Sequence, residues 1–375
     1  MYDFIIAGGG PAGASAACLL AKNGSVLVIE REEFPRYKSC GGALSYKAVS
    51  LLKEDFDFNT DMVTEREIKR VNFIYKLGEQ KTGVDFDYPI INMCMRDNFD
   101  SQLLNNAEKN GAKINFSEEV ADIEEAEGHV RIITDKDEYK SRYFIGAEGA
   151  NSVTAKKLLL DIKKTVAVEG ELNQCQEEVI ANDEINLFYG VIPHGYGWIF
   201  PKTNNLSIGV CSFNAKIKGI NGYYNNFKDN LELNRCSQFK FKGHAIPLLT
   251  NFNRIPKKGR ILAVGDAAGL VDPFCGEGIY YALLSGKFAA EAILKENIKE
   301  YHNRIKNIIF PEFKHASILA VIIYNNMPLI NKLVTHNPSL IRNLLEVTYG
   351  NMKYSSLLNS LKSEHPIFNV TGPNT

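Results

Sequence analysis

The chain has 375 residues, of which 45% are hydrophobic and 23% are charged, as expected for a soluble globular protein of about two or three domains. Its net charge of −1 argues against a nucleic-acid partner. Seven widely spaced cysteines do not indicate a disulfide framework. No secretory signal is recognisable, and no apolar run approaches the roughly 20 residues that span a bilayer. We expect a reduced, cytoplasmic chain. Contact with a membrane surface is also compatible with this sequence.

The first motif is a glycine-rich turn after a short apolar run, residues 3–7, which is typical of a buried parallel strand. Gly8 permits a tight turn, Gly10 lets the backbone approach a pyrophosphate, and Gly13 lets the next helix pack against the strand. Pro11 suits the first turn of that helix, predicted over residues 12–22. Free N–H groups at the helix N-terminus favour a phosphate.

A second strand is predicted over residues 26–29, and Glu30 stands at its end. A carboxylate there accepts hydrogen bonds from ribose hydroxyls. Strand, turn, helix, strand and acid in register predict a dinucleotide site with an unphosphorylated ribose, as in FAD or NAD. The alternative is a glycine turn in another kind of α/β domain.

A third segment predicts a strand over residues 143–147, followed by Glu148 and Gly149. Arg96 opens a helix predicted over residues 97–110. This guanidinium has two interpretations: it reaches a pyrophosphate or ribose, or it only forms a surface ion pair with Asp97 or Asp100.

The second glycine-rich segment, residues 265–278, reads GDAAGLVDPFCGEG and follows a predicted strand at 260–264. Asp266 is suited to bond a ribityl hydroxyl. A helix predicted over residues 279–295 points its N-terminus where negative charge collects on a reduced flavin ring. An ordinary strand–loop–helix crossover is the alternative, but the two glycine-rich segments together favour FAD over NAD.

Between these segments the sequence predicts an antiparallel sheet, because several stretches alternate or carry β-formers. They are residues 70–77, 82–88, 165–172, 184–192, 205–213 and 239–246. One helix is predicted over residues 222–234. Tyr196, Trp198 and Phe200 alternate, so they share one face of a strand. That face either lines an apolar tunnel or belongs to the core of the sheet.

Residues 301–375 are predicted to be helical, with apolar-rich stretches at 308–323 and 328–345. Pro311, Pro328 and Pro338 are expected to break them. These helices either close a tunnel, rest on a membrane surface, form a dimer face or simply pack on the main body. The tail after His365 is predicted to be disordered.

These motifs resemble those of a known family. GGGPAG with Glu30, Arg96-x-x-Phe99-Asp100, GAEGANS and GDAAG-x-x-x-P-x-x-GEGI resemble the FAD-dependent fold shared by aromatic hydroxylases and geranylgeranyl reductases. PRYKSCGG at residues 35–42 and YGWIFP at residues 196–201 are similar to motifs of the geranylgeranyl reductase branch. The resemblance covers residues 1 to about 300.

The resemblance implies an α/β protein with a Rossmann-like FAD-binding domain of the GR2/p-hydroxybenzoate hydroxylase type. We assign it residues 1–65, 96–155 and 257–300. Residues 66–95 and 156–256 are assigned to an antiparallel-sheet substrate domain, and residues 301–375 to a C-terminal helical region. The implied activity is reduction of isolated C=C bonds in prenyl chains, with FAD, a prenylated lipid substrate and an external electron donor, NAD(P)H or ferredoxin.

The motifs also imply the site residues. The cofactor-binding set is Gly8, Gly10, Pro11, Ala12, Gly13, Glu30, Arg31, Arg36, Cys40, Gly41, Gly42, Arg96, Val120, Glu148, Gly149, Gly265, Asp266, Pro273, Gly276, Gly278 and Ile279. The catalytic set is Cys40, Gly41, Gly42, Tyr196, Trp198 and Phe200.

Three positions depart from the family pattern. Glu148 replaces the usual Asp, and its longer side chain is expected to reach ribityl or backbone groups. The Arg that usually follows is absent, with Lys156 and Lys157 nearby. Cys275 occupies a loop expected beside the flavin, where a redox pair with Cys40 is one hypothesis.

Cys40 itself has two interpretations: it tunes the flavin, gates access or donates a proton, or it is a small buried thiol that fits the turn. Reduction of an unactivated alkene needs a hydride, a proton and an apolar, aromatic-lined site. No metal is expected, because no His/Cys/Asp cluster has ligand spacing. His194 and His244 are expected to be structural.

Two other functions are compatible with the motifs. One is a flavin monooxygenase of an aromatic or lipid substrate, against which the CGG and YGWIFP segments argue. The other is an electron-transfer flavoprotein, which would need a partner because the chain lacks the clustered cysteines of an iron–sulfur site.

Overall fold

The computed structural model describes residues 1–78, 80–173, 183–253 and 256–364. The tail after His365, predicted to be disordered, lies outside the described residues. The strands, in chain order, are β1 (Tyr2–Ala7), β2 (Val26–Ile29), β3 (Ala43–Ser45), β4 (Thr64–Ile68), β5 (Arg70–Tyr75), β6 (Gln80–Asp85), β7 (Ile91–Cys94), β8 (Lys113–Asn115), β9 (Val120–Ala126), β10 (His129–Thr134), β11 (Glu138–Gly146), β12 (Ile162–Asn173), β13 (Glu184–Tyr189), β14 (Gly195–Pro201), β15 (Leu206–Ser212), β16 (Ser237–Leu249), β17 (Lys257–Lys258) and β18 (Ile261–Ala263).

The helices of the described residues connect these strands and form the C-terminal region. They are α1 (Pro11–Leu20), α2 (Tyr46–Phe56), α3 (Arg96–Lys109), α4 (Val153–Lys157), α5 (Ile220–Asn230), α6 (Ile279–Leu294), α7 (Ile298–Arg304), α8 (Phe310–Asn325), α9 (Met327–His336), α10 (Ser339–Thr348) and α11 (Tyr354–Glu364).

One sheet, with the order β17-β18-β11-β1-β2-β8, forms an α/β half with α1, α3 and α6. Its central strands β18, β11, β1, β2 and β8 run parallel. Because both faces of such strands are covered, the short apolar runs at β1 and β2 are buried, as their sequences predicted. The dinucleotide motif therefore lies at the carboxyl ends of parallel strands, where ligands of α/β sheets bind.

A second sheet has the order β16-β12-β15-β14-β13-β5-β6, and all six predicted segments form strands of it. The sheet is mixed rather than antiparallel, because β13 pairs with β5 in parallel, from Glu184↔Arg70 to Tyr189↔Tyr75. The long stretch of chain between these two strands passes through the α/β half, so the chain can enter both in the same direction.

A small third sheet, β3-β7-β4, joins the two halves. Its strand β3 begins directly after Gly42, and β7 ends just before Arg96 opens α3. The Cys-Gly-Gly segment and Arg96 are thus held by neighbouring strands, because Cys94 N–H donates to the Gly42 carbonyl at 2.8 Å.

The predicted helix break at Pro311 is wrong. A single helical segment, Ile298–Asn325, runs through it, with a π-helical turn at Ile305–Ile309 directly before α8. The wider turn accommodates the residue that lacks an N–H. Pro328, in the first turn of α9, and Pro338, directly before α10, mark helix starts as expected.

This segment is also long and apolar enough to cross a membrane by length and composition, which the short apolar runs of the sequence did not indicate. In the fold, 44% of its most apolar window is buried. Phe310 and Phe313 pack into the core of the α/β half, whereas Leu319 and Ile323 pack beside the mixed sheet. The segment therefore spans both cores.

Among the described residues, five cysteines are free thiols: Cys18, Cys40, Cys94, Cys211 and Cys275. Cys236 is disulfide-bonded, contrary to the expectation of a chain without disulfides.

We predict that Gly209→Ala destabilises the mixed sheet. Gly209 lies opposite Trp198, and a Cβ added there would lie 2.1 Å from Trp198 Cζ2. The indole must leave its position, which typically costs about 1–3 kcal/mol of unfolding free energy. Urea unfolding of both variants provides the measurement. Gly243→Ala is the control, because its nearest contact would be an ordinary 3.8 Å; equal losses in the two variants would contradict this account.

Candidate active site

A cavity of about 590 Å³ opens between the α/β half and the mixed sheet. Most of the predicted site residues line it: Gly8, Gly10, Pro11, Ala12, Glu30, Arg31, Arg36, Cys40, Gly41, Gly42, Arg96, Val120, Glu148, Gly149, Tyr196, Trp198, Phe200, Asp266, Gly276, Gly278 and Ile279. Residues from distant parts of the chain therefore meet in one place, as the two glycine-rich segments predicted.

Three predicted cofactor-binding residues, Gly13, Gly265 and Pro273, do not line the cavity. Gly13 acts in packing: a Cβ there would lie 1.9 Å from the carbonyl oxygen of Gly8, so only glycine lets α1 approach the turn. Gly265 lies behind the wall, where an added Cβ would meet Ala12 Cβ at 2.9 Å. These two glycines shape the site without facing it.

One end of the cavity presents positive partial charge. The N-cap of α1 is Gly10, which has no side chain to cap the helix. The first N–H groups of this helix therefore remain available to donate to another partner. Above it, Arg36 Nη2 would lie 3.6 Å from a Cβ on Gly10, and Arg36 Nη1 is buried without a hydrogen-bond partner. These donors are suited to hold a pyrophosphate, which would satisfy both sets.

Glu30 is buried at the end of β2, next to this donor-rich end. Its Oε2 accepts from Gly9 N–H at 2.7 Å and its Oε1 accepts from Glu32 N–H at 3.0 Å. These bonds fix the carboxylate, while its remaining lone pairs can accept from ribose hydroxyls.

The surface ion pair offered as one interpretation of Arg96 is wrong, whereas its role as a cofactor ligand stays a prediction. It is a buried cavity residue, and it pairs with Asp100 through two hydrogen bonds of 2.8 Å. Asp100 also forms an ion pair with Arg36, in which Arg36 Nη2 lies 3.2 Å from Asp100 Oδ2. One buried carboxylate thus orients two guanidinium groups toward the cavity.

Two further acids were predicted to contact the cofactor. Burial raises the pKa of Asp266, which Lys38 and Arg96 oppose. Glu148 accepts from Ser152 Oγ at 2.8 Å and from Thr154 N–H at 3.0 Å. The longer side chain that replaces the usual Asp therefore reaches a backbone group, one of the two outcomes expected for it.

The other end of the cavity is aromatic. Tyr196, Trp198 and Phe200 follow one another along β14, with ring centroids 6.2 and 6.1 Å apart. Trp198 and Phe200 are buried, Tyr196 is partly buried, and all three line the cavity, so the tunnel and core interpretations both describe them. A Cβ on Gly41 would lie 2.8 Å from the ring of Phe200. The Cys-Gly-Gly segment, residues 40–42, therefore packs directly on the aromatic strand.

Cys275 and Cys40 both line the cavity as free thiols, so the structure contains no disulfide between them. Burial raises the pKa of the Cys275 thiol. Three tyrosine hydroxyls hold the loop that carries it. Tyr196 donates to the Cys275 carbonyl at 2.6 Å, Tyr324 donates to the Phe274 carbonyl at 2.8 Å, and Tyr354 donates to Asp272 at 2.8 Å.

The C-terminal helices therefore take part in the site, since Tyr324 lies on α8 and Tyr354 on α11. Tyr349, directly after α10, lines the cavity itself. Among the described residues it is the only one beyond position 300 that does so. Of the interpretations offered for this region, closure of the cavity and packing on the main body both agree with the contacts of these helices.

Sequence reasoning missed a pair of basic residues in the cavity. Lys38 Nζ lies 2.6 Å from His244 Nε2, and both residues line the wall. His244 was expected to be a lone structural residue, but it is paired with Lys38 at the cavity wall. Burial lowers the pKa of Lys38 to about 8, and burial, followed by the charge of Lys38, lowers the pKa of His244 to about 3. Lys38 belongs to the PRYKSCGG segment, residues 35–42, but no local sequence pattern predicts which strand lies opposite this lysine.

Tyr37 and Glu169 also line the cavity and were not predicted. His194 lies in the turn before β14, and its carbonyl accepts from Phe213 N–H at 2.8 Å. It does not line the cavity.

The residues present fit FAD. An uncapped helix end with an unpartnered arginine nitrogen suits the pyrophosphate, Glu30 suits the ribose, and Asp266 suits a ribityl hydroxyl. The sequence matches the family model of an FAD binding domain over residues 1–219, more than half of the chain. The protein is therefore an FAD-dependent oxidoreductase.

Proteins of similar sequence identify the family within this class of oxidoreductases. The chain is 33% identical to an uncharacterised protein of Methanosarcina barkeri over 89% of this chain and 86% of that one. It is 30% identical to a geranylgeranyl diphosphate reductase of Synechocystis sp. over 77% of this chain and 74% of the relative. The chain belongs to the geranylgeranyl reductase family.

The fold agrees with this assignment. A geranylgeranyl bacteriochlorophyll reductase-like protein of Thermoplasma acidophilum superimposes with a TM-score of 0.80. The match covers 98% of this chain and 97% of that one at 20% identity. The predicted Rossmann-like flavoprotein fold is confirmed.

We predict that Arg36→Met weakens FAD binding. The variant loses a buried donor that faces the α1 N-terminus, and a charge-assisted hydrogen bond of this kind contributes about 1.5–3 kcal/mol, or about 10–100-fold in affinity. Titration of the apoprotein with FAD, followed by flavin fluorescence, measures the change. Arg131→Met, at an exposed ion pair on β10, is the control. Unchanged FAD affinity in Arg36→Met would contradict the proposed pyrophosphate position.

We also predict that His244 makes the free energy of unfolding of the apoprotein decrease at acidic pH. Its folded pKa of about 3 lies below the ordinary 6.5, so the unfolded chain takes up a proton first. Neutral His244 therefore contributes to the free energy of unfolding above pH 6.5, and this contribution is lost as the pH falls toward 3. Between pH 6.5 and about pH 4, wild type should lose about 1–3 kcal/mol more unfolding free energy than His244→Gln. Urea unfolding across this range is the measurement.

The exposed His336 supplies the control for this pH series. His336→Gln should follow wild type at every pH, because its imidazole is not buried. If His244→Gln follows wild type as closely, then His244 is not held in its neutral form by the cavity.

Proposed function

We propose that this protein reduces C=C bonds in the prenyl chain of a lipid, such as an ether lipid or a quinone. The observation that carries the proposal is the contact between residues 40–42 and the aromatic strand at one end of an FAD-type cavity. Reduced FAD supplies a hydride to such a reaction. The protein must then bind an apolar chain, exclude water and deliver a proton.

The aromatic strand suits an isoprenoid chain. From Trp198 and Tyr196 the rings continue to Tyr189 at 5.8 Å and to Phe73, which stacks on Tyr189 at 4.0 Å. A small apolar pocket follows, lined in part by Phe73, Tyr189, Met327 and Ile330. We propose that an isoprenoid chain binds along this apolar row of rings, so that one double bond is positioned at the reacting end.

The same surroundings suit the chemistry. An isolated alkene has no carbonyl group to take up developing charge, so positive charge on carbon is stabilised by aromatic faces. Trp198 and Phe200 line the cavity and lie against Gly41, the residue next to Cys40. We assign Cys40 as the proton donor: its thiol lies on the cavity wall and accepts a 3.5 Å hydrogen bond from Gly42 N–H. One hydride and one proton together saturate one double bond.

We propose a cytoplasmic protein that touches the membrane where its lipid substrate resides. Exposed apolar side chains on the C-terminal helices, Val321 and Leu329, support this, since Lys314 and Lys332 are exposed near them. Basic and apolar groups together suit an anionic lipid surface. The electron donor is proposed to be NAD(P)H or a ferredoxin.

The test uses purified, FAD-loaded protein reduced with dithionite, which makes the natural donor unnecessary. Mass spectrometry of a geranylgeranyl ether lipid, a geranylgeranylated quinone and geranylgeranyl diphosphate should show mass gains in steps of two hydrogens. Cys40→Ala should lower the rate about 100-fold or more, as is usual for loss of a general acid. NADPH and reduced ferredoxin then replace dithionite in turn.

Cys18→Ala is the matched control, because Cys18 is a buried thiol in the core of the α/β half and does not line the cavity. It should keep the wild-type rate. If flavin-loaded, reduced wild type leaves every lipid unchanged, the proposal is wrong. A gain of one oxygen under air would instead support the monooxygenase.

A further inference from the structure

A buried carboxylate that the proposed chemistry does not use lies beneath residues 40–42. Glu169 is on β12 and is 1% exposed. Its Oε2 accepts from Cys40 N–H at 2.5 Å and from Tyr37 O–H at 3.3 Å. A strand of the mixed sheet thus holds a segment that is more than 120 residues away in the chain.

The other oxygen of Glu169 faces the aromatic strand. Ser207 Oγ donates to Glu169 Oε1 at 2.7 Å, and Trp198 Nε1 donates to Ser207 Oγ at 3.2 Å. One carboxylate therefore connects the Cys40 segment on one side with the Trp198 indole on the other. Buried hydrogen bonds of this kind fix geometry, because an unpaired donor at either end costs about 1–3 kcal/mol.

A neighbouring pair shows that this arrangement is specific to Glu169. Glu171 lies on the same face of β12, two residues along, and it is also buried. It pairs with the buried Lys202 at 2.6 Å, and burial raises its pKa. Glu171 does not line the cavity. The ammonium neutralises Glu171, whereas Glu169 is bonded to neutral donors of the cavity wall.

We propose that Glu169 is a positioning residue that sets the separation between the Cys40 segment and Trp198. The inference deepens the proposed function and rests on it for the catalytic consequence. If Cys40 donates the proton and Trp198 faces the reacting carbon, their separation defines the space for the double bond. A misplacement of about 1 Å in such a site can cost about 100-fold in rate.

The test reads both sides of the carboxylate separately in FAD-loaded protein. Trp198 is the only tryptophan of the chain, so its emission reports the aromatic side alone. Cys40 is the one free thiol among the described residues that is not fully buried, so its alkylation by iodoacetamide reports the other side. Peptide mass spectrometry confirms which cysteine is modified.

Glu169→Leu removes both acceptors. Cys40 alkylation should rise about tenfold and the Trp198 emission should change, because both groups lose a buried partner. Glu169→Gln should restore most of the wild-type behaviour, since its amide oxygen still accepts from Cys40 N–H and its amide nitrogen donates to Ser207 Oγ. Ser207→Ala should change the Trp198 emission while Cys40 alkylation stays within about twofold of wild type, because it breaks only one side.

Tyr224→Phe is the control for loss of a buried hydrogen bond near β12, as its hydroxyl donates to Gln238 at 3.0 Å and does not line the cavity. It should leave both signals unchanged. If Glu169→Leu fails to fold, Ser207→Ala and Glu169→Gln still decide. Wild-type alkylation and emission in a folded Glu169→Leu, or equal effects of Ser207→Ala on both signals, would overturn the proposal.

These signals need no lipid, so they separate this inference from the proposed function. Absence of lipid reduction by wild type, together with the expected alkylation and emission changes, rejects the function alone. If wild type reduces a prenyl lipid, Glu169→Leu should lower kcat about tenfold or more and change KM by less than about threefold, because misplacement acts on the reacting geometry rather than on uniform binding.

Discussion

The close approach of residues 40–42 to the aromatic strand is the contact on which the site depends. Gly41 has no side chain, and the ring of Phe200 occupies the volume that a Cβ would need. This contact brings the α/β half and the mixed sheet together at the cavity wall. Without it, the dinucleotide end of the cavity and its aromatic end would not share one enclosed space, and water would reach the apolar wall.

The sequence predicted the local features because each depends on neighbouring residues. The turn at Gly8, the acid at Glu30 and the alternation of Tyr196, Trp198 and Phe200 follow from strand and helix periods alone. The glycine-rich turns and the aromatic strand of the cavity wall could therefore be named in advance. The six strands of the mixed sheet were also recognisable, since alternation with β-formers is a local signal.

Features that depend on distant contacts could not be read in this way. Parallel pairing of β13 with β5 is decided by the path of the chain between them. The placement of His244 against Lys38 depends on the register of β16, which no local pattern gives. Arg96 was interpreted as either a ligand or a surface pair, because sequence spacing shows that Asp100 is near but not that both are buried. The helix continues through Pro311 because of a π-helical turn, and no sequence pattern predicts such a turn.

The parallel pairing of β5 with β13 also has a consequence for how the molecule becomes folded. Along the chain, β5 and β6 of the mixed sheet come before β8 and β11 of the α/β half, and β12 to β16 come after them. The α/β half in turn receives β17, β18 and α6 only after the sheet is complete. Neither half is a continuous piece of chain, so each closes its core through contacts of high sequence separation, which slow folding. We therefore expect the two halves to fold as a single cooperative unit, and a cut between β11 and β12 leaves neither of the two large sheets complete in either fragment.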